Sequence, residues 1–138
     1  MKTFYVGIKG VIVKDGKVLL LRTNPEHEDR GARWEVAGGR IEGNETFEQA
    51  LTRELGEELP NVRDVKVGNL LDVHRLHKDI WGQKSLVLVY YHVEADFDGE
   101  PELSEEHLEW LWADKKTIQK LISDPSQATI LKALEILS

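Results

Sequence analysis

The sequence predicts an α/β fold on three observations. Two runs of β-forming residues, 4–13 and 17–22, flank Asp15-Gly16, a strong two-residue hairpin signal. A stretch beginning at Thr46 carries helix punctuation at both ends and an apolar stripe at helical spacing. Further on, the run LVLVYYHV is apolar enough for a central strand, and two helical repeats follow it. Periodicity supports mixed strands and helices; it does not order the sheet.

In chain order, residues 4–13 and 17–22 read as strand, turn, strand. The polar segment 23–32 (TNPEHEDRGA) holds Pro25 and Gly31 and reads as a loop. Residues 33–36 resume as a short strand that leads into Ala37-Gly38-Gly39. Paired glycines let the backbone approach a ligand or take positive φ, and they also make ordinary turns. Thr46 can cap the next helix, with Gln49 three residues on as in a capping box, and Pro60 disfavours helical geometry at Leu59. Strands return at 65–73 and 85–93, and the polar 74–84 (HRLHKDIWGQK) between them reads as a hairpin loop or the strand ends around one. Residues 94–104, with Gly99 and Pro101, are a loop by composition. Helices are expected at 115–122 and 126–137, separated by Asp124-Pro125, and they should cover the sheet.

The chain of 138 residues fits one domain, 1–138, and a chain of that size hides roughly 70% of its unfolded surface. Its 41% hydrophobic and 31% charged residues are those of an ordinary soluble globular protein. A net charge of −7 argues against a nucleic-acid polymer as partner, which calls for a basic patch or stripe. An acidic protein acting on a phosphorylated substrate should instead use metal ions to manage the repulsion. With no cysteine, neither disulfides nor thiol catalysis apply. There is no apolar run near ~18 residues and no signal-peptide core in MKTFYVGIKG, so no membrane partner is expected and cytoplasmic is the default location.

The densest chemistry lies between Gly38 and Asn61 (GGRIEGNETFEQALTRELGEELPN). On a helix Glu54, Glu57 and Glu58 project together, with Arg53 beside them. Such clustering is costly, because like charges repel and the carboxyl end of a helix carries partial negative charge. A divalent cation would offset both penalties. Phe47, Ala50, Leu51, Leu55 and Leu59 define the apolar sector, and Glu54 and Glu58 fall inside it, as does Glu48 in the first turn. Spacing alone leaves two readings, a metal site at the edge of the core and a solvated acidic face.

Gly39, five residues, Glu45, seven residues, then Arg53-Glu54-Leu55-x-Glu57-Glu58 resembles the Nudix box, GX5EX7REUXEEXGU with U bulky and apolar. Pro60 stands at the family's glycine and Asn61 at its last apolar position, so the turn that ends the helix departs from the pattern; Asn61 tolerates the left-handed conformation such turns use. Upstream, Trp34-Glu35-Val36-Ala37-Gly38-Gly39 looks like the usual lead-in, with Ala37 where proline is common. Downstream, EEHLEWLW resembles the segment that follows the long loop in many family members, with Trp112 as the apolar anchor.

The resemblance implies a Nudix-type α/β/α sandwich, a mixed β-sheet between helices, that hydrolyses a pyrophosphate bond in a nucleoside diphosphate linked to another group. The implied cofactor is Mg²⁺ or Mn²⁺, hard cations that suit carboxylates. Glu54, Glu57 and Glu58 match the family's metal ligands and the Gly39 carbonyl a further one. Glu54 also occupies a position that often serves as general base, although some members recruit the base from a later loop. Arg53 and Glu45 match an ion pair that orients the acids; read without the resemblance, they are a surface salt bridge worth ~0–1 kcal/mol. Glu106, or Glu105, can supply another metal ligand or the alternative base, or belong to a solvated loop. For substrate, Gly38 offers close backbone approach, Trp34 stacking or else packing at a strand end, and Arg75 with His74 and His77 phosphate contacts, while the Trp81 indole suits a base; an exposed loop without contacts is the competing account of the last four. Zinc held by His74, His77, His92 and His107 is a poor reading, since alternate strand residues face opposite sides.

The implied partner is a small nucleotide-like diphosphate: an oxidised nucleoside triphosphate, a nucleotide sugar or a dinucleoside polyphosphate. Homodimers are common in the family. Two other readings are a non-catalytic nucleotide-binding or sensor domain of the same fold, and a calcium-binding or structural acidic domain.

Overall fold

A computed structural model describes residues 3–27, 31–81 and 84–136, with side chains at 77–81 and 84 outside that description. The first hairpin joins β1 (Thr3–Lys14) to β2 (Lys17–Thr23), and Asp15 and Gly16 take φ of 51° and 74°, the two positive values a tight hairpin turn needs. A single 3₁₀ turn at Pro25–His27 precedes β3 (Trp34–Glu35) and β4 (Ala37–Arg40). Helix α1 (Phe47–Glu58) follows, and its capping box forms as expected: Gln49 N donates to Thr46 Oγ1 at 3.1 Å and Thr46 N to Gln49 Oε1 at 3.0 Å. Strands β5 (Val62–Trp81), β6 (Lys84–Phe97) and β7 (His107–Ala113) then lead to α2 (Lys115–Leu121) and α3 (Ser126–Glu135).

The sheet runs β3-β2-β1-β6-β5, with β4 added to β1 and β7 to β2. β1 and β6 pair in parallel from Thr3 opposite Lys84 to Ile12 opposite Val93, whereas the other pairs are antiparallel, so the sheet is mixed. The pleat of β1 sends Ile8 and Ile12 to one face, where they pack with Leu51, Leu55 and Leu59. Val11 and Val13 point to the other and meet Ile118, Ile122, Ile130 and Ala133. Helices therefore cover both faces of a mixed sheet, the α/β arrangement the sequence predicts. Each fully buried aliphatic side chain of these layers contributes roughly 1.5–3 kcal/mol, and a β1 buried on both faces is why its sequence reads as one apolar run. Among the described residues, no helix is long and apolar enough to cross a membrane.

Several boundaries differ from expectation. Of the two readings of 74–84, the strand ends hold: β5 continues through Trp81 and β6 begins at Lys84, because an edge strand needs a partner on one side only and tolerates polar residues on the other. β6 likewise runs on to Phe97, since Ala95 and Phe97 alternate into the α1 layer between Glu94 and Asp96. The glycine pair lies within β4, hydrogen-bonded to β1, and the EEHLEWLW segment supplies strand β7. Phe47 is 42% exposed at the first turn of α1 and leaves the apolar sector to Ala50, Leu51, Leu55 and Leu59. Asn61 does not take positive φ; its side chain has another use, below. Leu137 lies outside the described residues.

Candidate active site

Two glycines let β4 close against its neighbours. Gly38 has a φ of 137°, and a Cβ there would overlap the carbonyl oxygen of Ile8 on β1. Its N–H donates to Glu58 Oε1 at 2.8 Å, tying strand to helix. A Cβ at Gly39 would overlap the Glu54 carboxylate, so this backbone lies directly against an acid of α1.

Arg53 anchors the acids. Its Nε and Nη2 donate to the two Glu45 oxygens at 2.7 and 2.9 Å, its Nη1 to Glu54 Oε1 at 2.8 Å and to Glu57 Oε1 at 3.3 Å, and its Nη2 to the carbonyl of Arg40 at 3.1 Å. A bidentate grip on Glu45 fixes the loop before α1, and the third contact fixes Glu54. Bonding to Glu45 and then to Glu54 raises the guanidinium pKa, and Arg53 in turn lowers that of Glu45.

The three helix acids are not equivalent. The Glu57 side chain is 59% exposed, that of Glu54 only 13%, and Glu58 is buried. Burial raises the Glu54 pKa against the opposing pull of Arg53. Burial also pushes Glu58 up to about 8, with Lys9 and the Gly38 N–H opposing. Lys9 is itself buried; desolvation alone would lower its pKa, but Glu35 and Glu58 outweigh that and raise it.

Glu106 reaches the site through the loop after β6. Asn61 Nδ2 donates to the carbonyls of Asp98 and Glu100 at 3.2 and 2.8 Å, and its Oδ1 accepts from Glu102 N at 2.9 Å. Ser104 N then donates to the Glu58 carbonyl at 3.1 Å. With the loop so pinned to the end of α1, one ligand atom each of Glu58, Glu106 and His107 lies within 4.8 Å of the others. Glu105 instead points outward, 3.8 Å from His27 and 88% exposed.

His107 is the residue that sequence reasoning set aside. It is 5% exposed, its Nε2 stands 3.0 Å from Glu35 Oε2, and its Nδ1 is buried without a partner among the described residues. Desolvation would raise the Glu35 pKa, but Lys9 at 3.4 Å, the His107 bond and Arg33 at 3.2 Å bring it down to about 2. An ionised Glu35 can only accept, so Nε2 carries the proton. No alternation marked it: Leu108 and Glu109 that follow are both exposed, and the β2–β7 register shifts between Arg22 and Thr23, just where His107 pairs.

Glu54, Glu58, Glu106 and His107 share a cleft of about 590 Å³ with Trp34, Gly38, Gly39, His74 and Tyr90. His74 is fixed there, its Nε2 2.6 Å from Thr129 Oγ1 and its ring edge-on to Tyr90. Arg75 does not line this cleft. The pleat of β5 puts its neighbours His74 and Leu76 there and sets the Arg75 guanidinium 5.0 Å from the Phe4 ring centroid. The side chains of His77 and Trp81 lie outside the described residues. His74, His92 and His107 do not form a group: His92 Nε2 is buried without a partner among the described residues, His74 is tied to Thr129, and His107 joins acids.

Residues 2–134 match the family described as NUDIX domain. The chain is 32% identical over 126 residues to the CTP pyrophosphohydrolase of Escherichia coli (strain K12), covering 91% of this chain and 87% of that protein. A shorter match, 44% over 50 residues, joins it to the 8-oxo-dGTP diphosphatase of Proteus vulgaris, over 36% of this chain and 45% of that one. Among solved structures, the MutT NUDIX hydrolase from Burkholderia pseudomallei aligns with a TM-score of 0.72 at 27% identity, over 99% of this chain and 100% of the other.

Proposed function

The chain belongs to the Nudix hydrolase family, and on that premise we propose that it hydrolyses a phosphoanhydride bond of a nucleoside triphosphate or a related nucleoside diphosphate derivative, by attack of water on phosphorus with Mg²⁺ or Mn²⁺ as cofactor. The observation that carries this reading is the meeting of Glu54, Glu58 and Glu106 in one cleft beside the Gly38-Gly39 backbone. These groups fit a hard divalent cation: the donors are carboxylates and a backbone carbonyl, and a buried Glu58 facing Glu106 has its charge poorly compensated without one. Glu54, Glu58, Glu106 and the Gly39 carbonyl would hold it, with Glu57 at the exposed rim. Bound there, a cation supplies charge neutralisation for the diphosphate and acidifies a water molecule.

The chain's own residues do the rest. Glu54, fixed by Arg53 and raised in pKa by burial, is the general base that takes the proton from the attacking water. Arg53 and Glu45 hold Glu54 in place without lining the cleft. Trp34 stacks on the nucleoside, and Gly38 lets the phosphates come close to the backbone. A cleft of about 590 Å³ falls within the usual range for nucleotide-sized ligands. The names of two similar proteins, a CTP pyrophosphohydrolase and an 8-oxo-dGTP diphosphatase, are the support for testing nucleoside triphosphates first.

The test is a panel of nucleoside triphosphates, nucleotide sugars and dinucleoside polyphosphates with Mg²⁺ and Mn²⁺ in ¹⁸O-water, read by mass spectrometry for product and labelled phosphorus. Glu54→Gln and Glu57→Gln should lower turnover by about 10²–10⁴. Full activity in both variants would refute the assignment.

A further inference from the structure

We propose that His107 is a nitrogen ligand of the cation centre, one that biases it toward transition-metal ions such as Mn²⁺ and Co²⁺ and away from Mg²⁺. The inference rests on the reading that Glu58 and Glu106 hold the cation. Its own support is separate from the acids.

Buried polar atoms in folded proteins nearly always find a partner. The His107 ring meets that rule at one nitrogen and breaks it at the other: Nε2 is bonded to Glu35 at 3.0 Å, while Nδ1 is buried with no partner among the described residues. A purely structural histidine would need only the first contact. With Nε2 engaged by the Glu35 carboxylate, which Lys9 holds at 3.4 Å and Arg33 at 3.2 Å, Nδ1 is the ring nitrogen left for a ligand. One ring nitrogen lies within 4.8 Å of a carboxylate oxygen of each of Glu58 and Glu106. A carboxylate that accepts from one imidazole nitrogen while the other nitrogen binds metal is the usual support of a ligating histidine. Glu35 would thus be the positioning residue for His107.

The selectivity follows from ligand chemistry. Mg²⁺ takes oxygen ligands and gains little from an imidazole, whereas affinity for nitrogen-containing sites climbs from Mn²⁺ to Co²⁺. His107 therefore adds affinity for those ions that the carboxylates alone do not confer.

The test starts with the unmodified chain, grown with ¹⁵N-labelled histidine and loaded with Mn²⁺. Pulsed electron paramagnetic resonance should detect a directly bound imidazole nitrogen, and the signal should vanish in His107→Gln. By calorimetry, His107→Gln should weaken Mn²⁺ and Co²⁺ binding by about tenfold or more while Mg²⁺ binding changes less than about threefold. Manganese that binds in a Glu58-dependent way with no nitrogen coupling would overturn the proposal and leave the acids as the cation site. Equal losses for all three ions in His107→Gln would overturn it as well. Manganese binding that Glu58→Gln leaves untouched would instead bring down the placement of the cation, and the role of His107 with it.

Discussion

Replacing Glu58 with glutamine should make the metal-free protein more stable at alkaline pH while removing its response to cations. Glu58 has a folded-state pKa of about 8, against 4.5 ordinarily. Between those values the folded chain binds more protons than the unfolded one, so this group's contribution is complete below pH 4.5 and is lost as the pH rises through about 8. From about pH 5 to about pH 8.5 the loss is on the order of 4 kcal/mol, a large part of the 5–15 kcal/mol typical of a domain. Glutamine has almost the same shape, and its Oε1 can still accept from Gly38 N. It carries no charge to desolvate. Urea denaturation in EDTA across that pH range should show the gap between variant and parent widening in the variant's favour by several kcal/mol. Glu54, also raised by burial, slopes both curves alike, and Glu35, held at about 2, contributes stability that is lost only on acidification toward that value. The difference between the curves therefore isolates Glu58. Adding Mg²⁺ or Mn²⁺ should restore the parent at high pH and do little for the variant. Parallel curves in EDTA would refute the reasoning.

Asn61→Ala removes three hydrogen bonds that pin the loop carrying Glu106, and should cost roughly 1–3 kcal/mol in urea denaturation together with weaker Mn²⁺ binding; unchanged stability would mean the loop is held by other contacts. Gly38→Ala places a Cβ on the carbonyl oxygen of Ile8 at a φ of 137° and should destabilise by about 3 kcal/mol or more, measured by thermal melting. A wild-type melting temperature would contradict that geometry. Arg53→Lys keeps the charge but loses the two-pronged grip on Glu45 and the fork to Glu54, so turnover should fall about tenfold or more with the fold intact; near-normal kcat would remove Arg53 from the positioning of Glu54.

Where local chemistry decided the structure, the sequence was readable. Asp15-Gly16 made its hairpin, Thr46 and Gln49 made their capping box, and Leu51, Leu55 and Leu59 lie in the core as their spacing requires. Legibility failed where a distant partner decided. Composition leaves residues 74–84 open between a loop and strand ends and marks 94–97 as loop, and pairing between β5 and β6 makes 74–81 and 94–97 strand. The second of these was recoverable, because Glu94-Ala95-Asp96-Phe97 alternates with the period of a half-buried strand. Pro60 and Asn61 stood out as departures from the Nudix box. What replaces the missing glycine could not be read there, because the bonds of Asn61 go to residues about forty positions away.

The same distinction separates the acids from one another. Their spacing along α1 places Glu54, Glu57 and Glu58 together but says nothing about which charge is compensated. Glu54 has the Arg53 guanidinium at 2.8 Å, and Glu57, 59% exposed, has solvent and the same guanidinium at 3.3 Å. Glu58 is buried, with the Gly38 N–H on one oxygen and Lys9 committed mainly to Glu35. Across from it the long loop after β6 brings Glu106 and His107, one ligand atom of each within 4.8 Å of one of Glu58, and His107 Nδ1 has no partner among the described residues. Arg53 thus offsets much of the charge on Glu54, whereas Glu58, Glu106 and His107 meet with less compensation, and there the proposed cation would complete the balance.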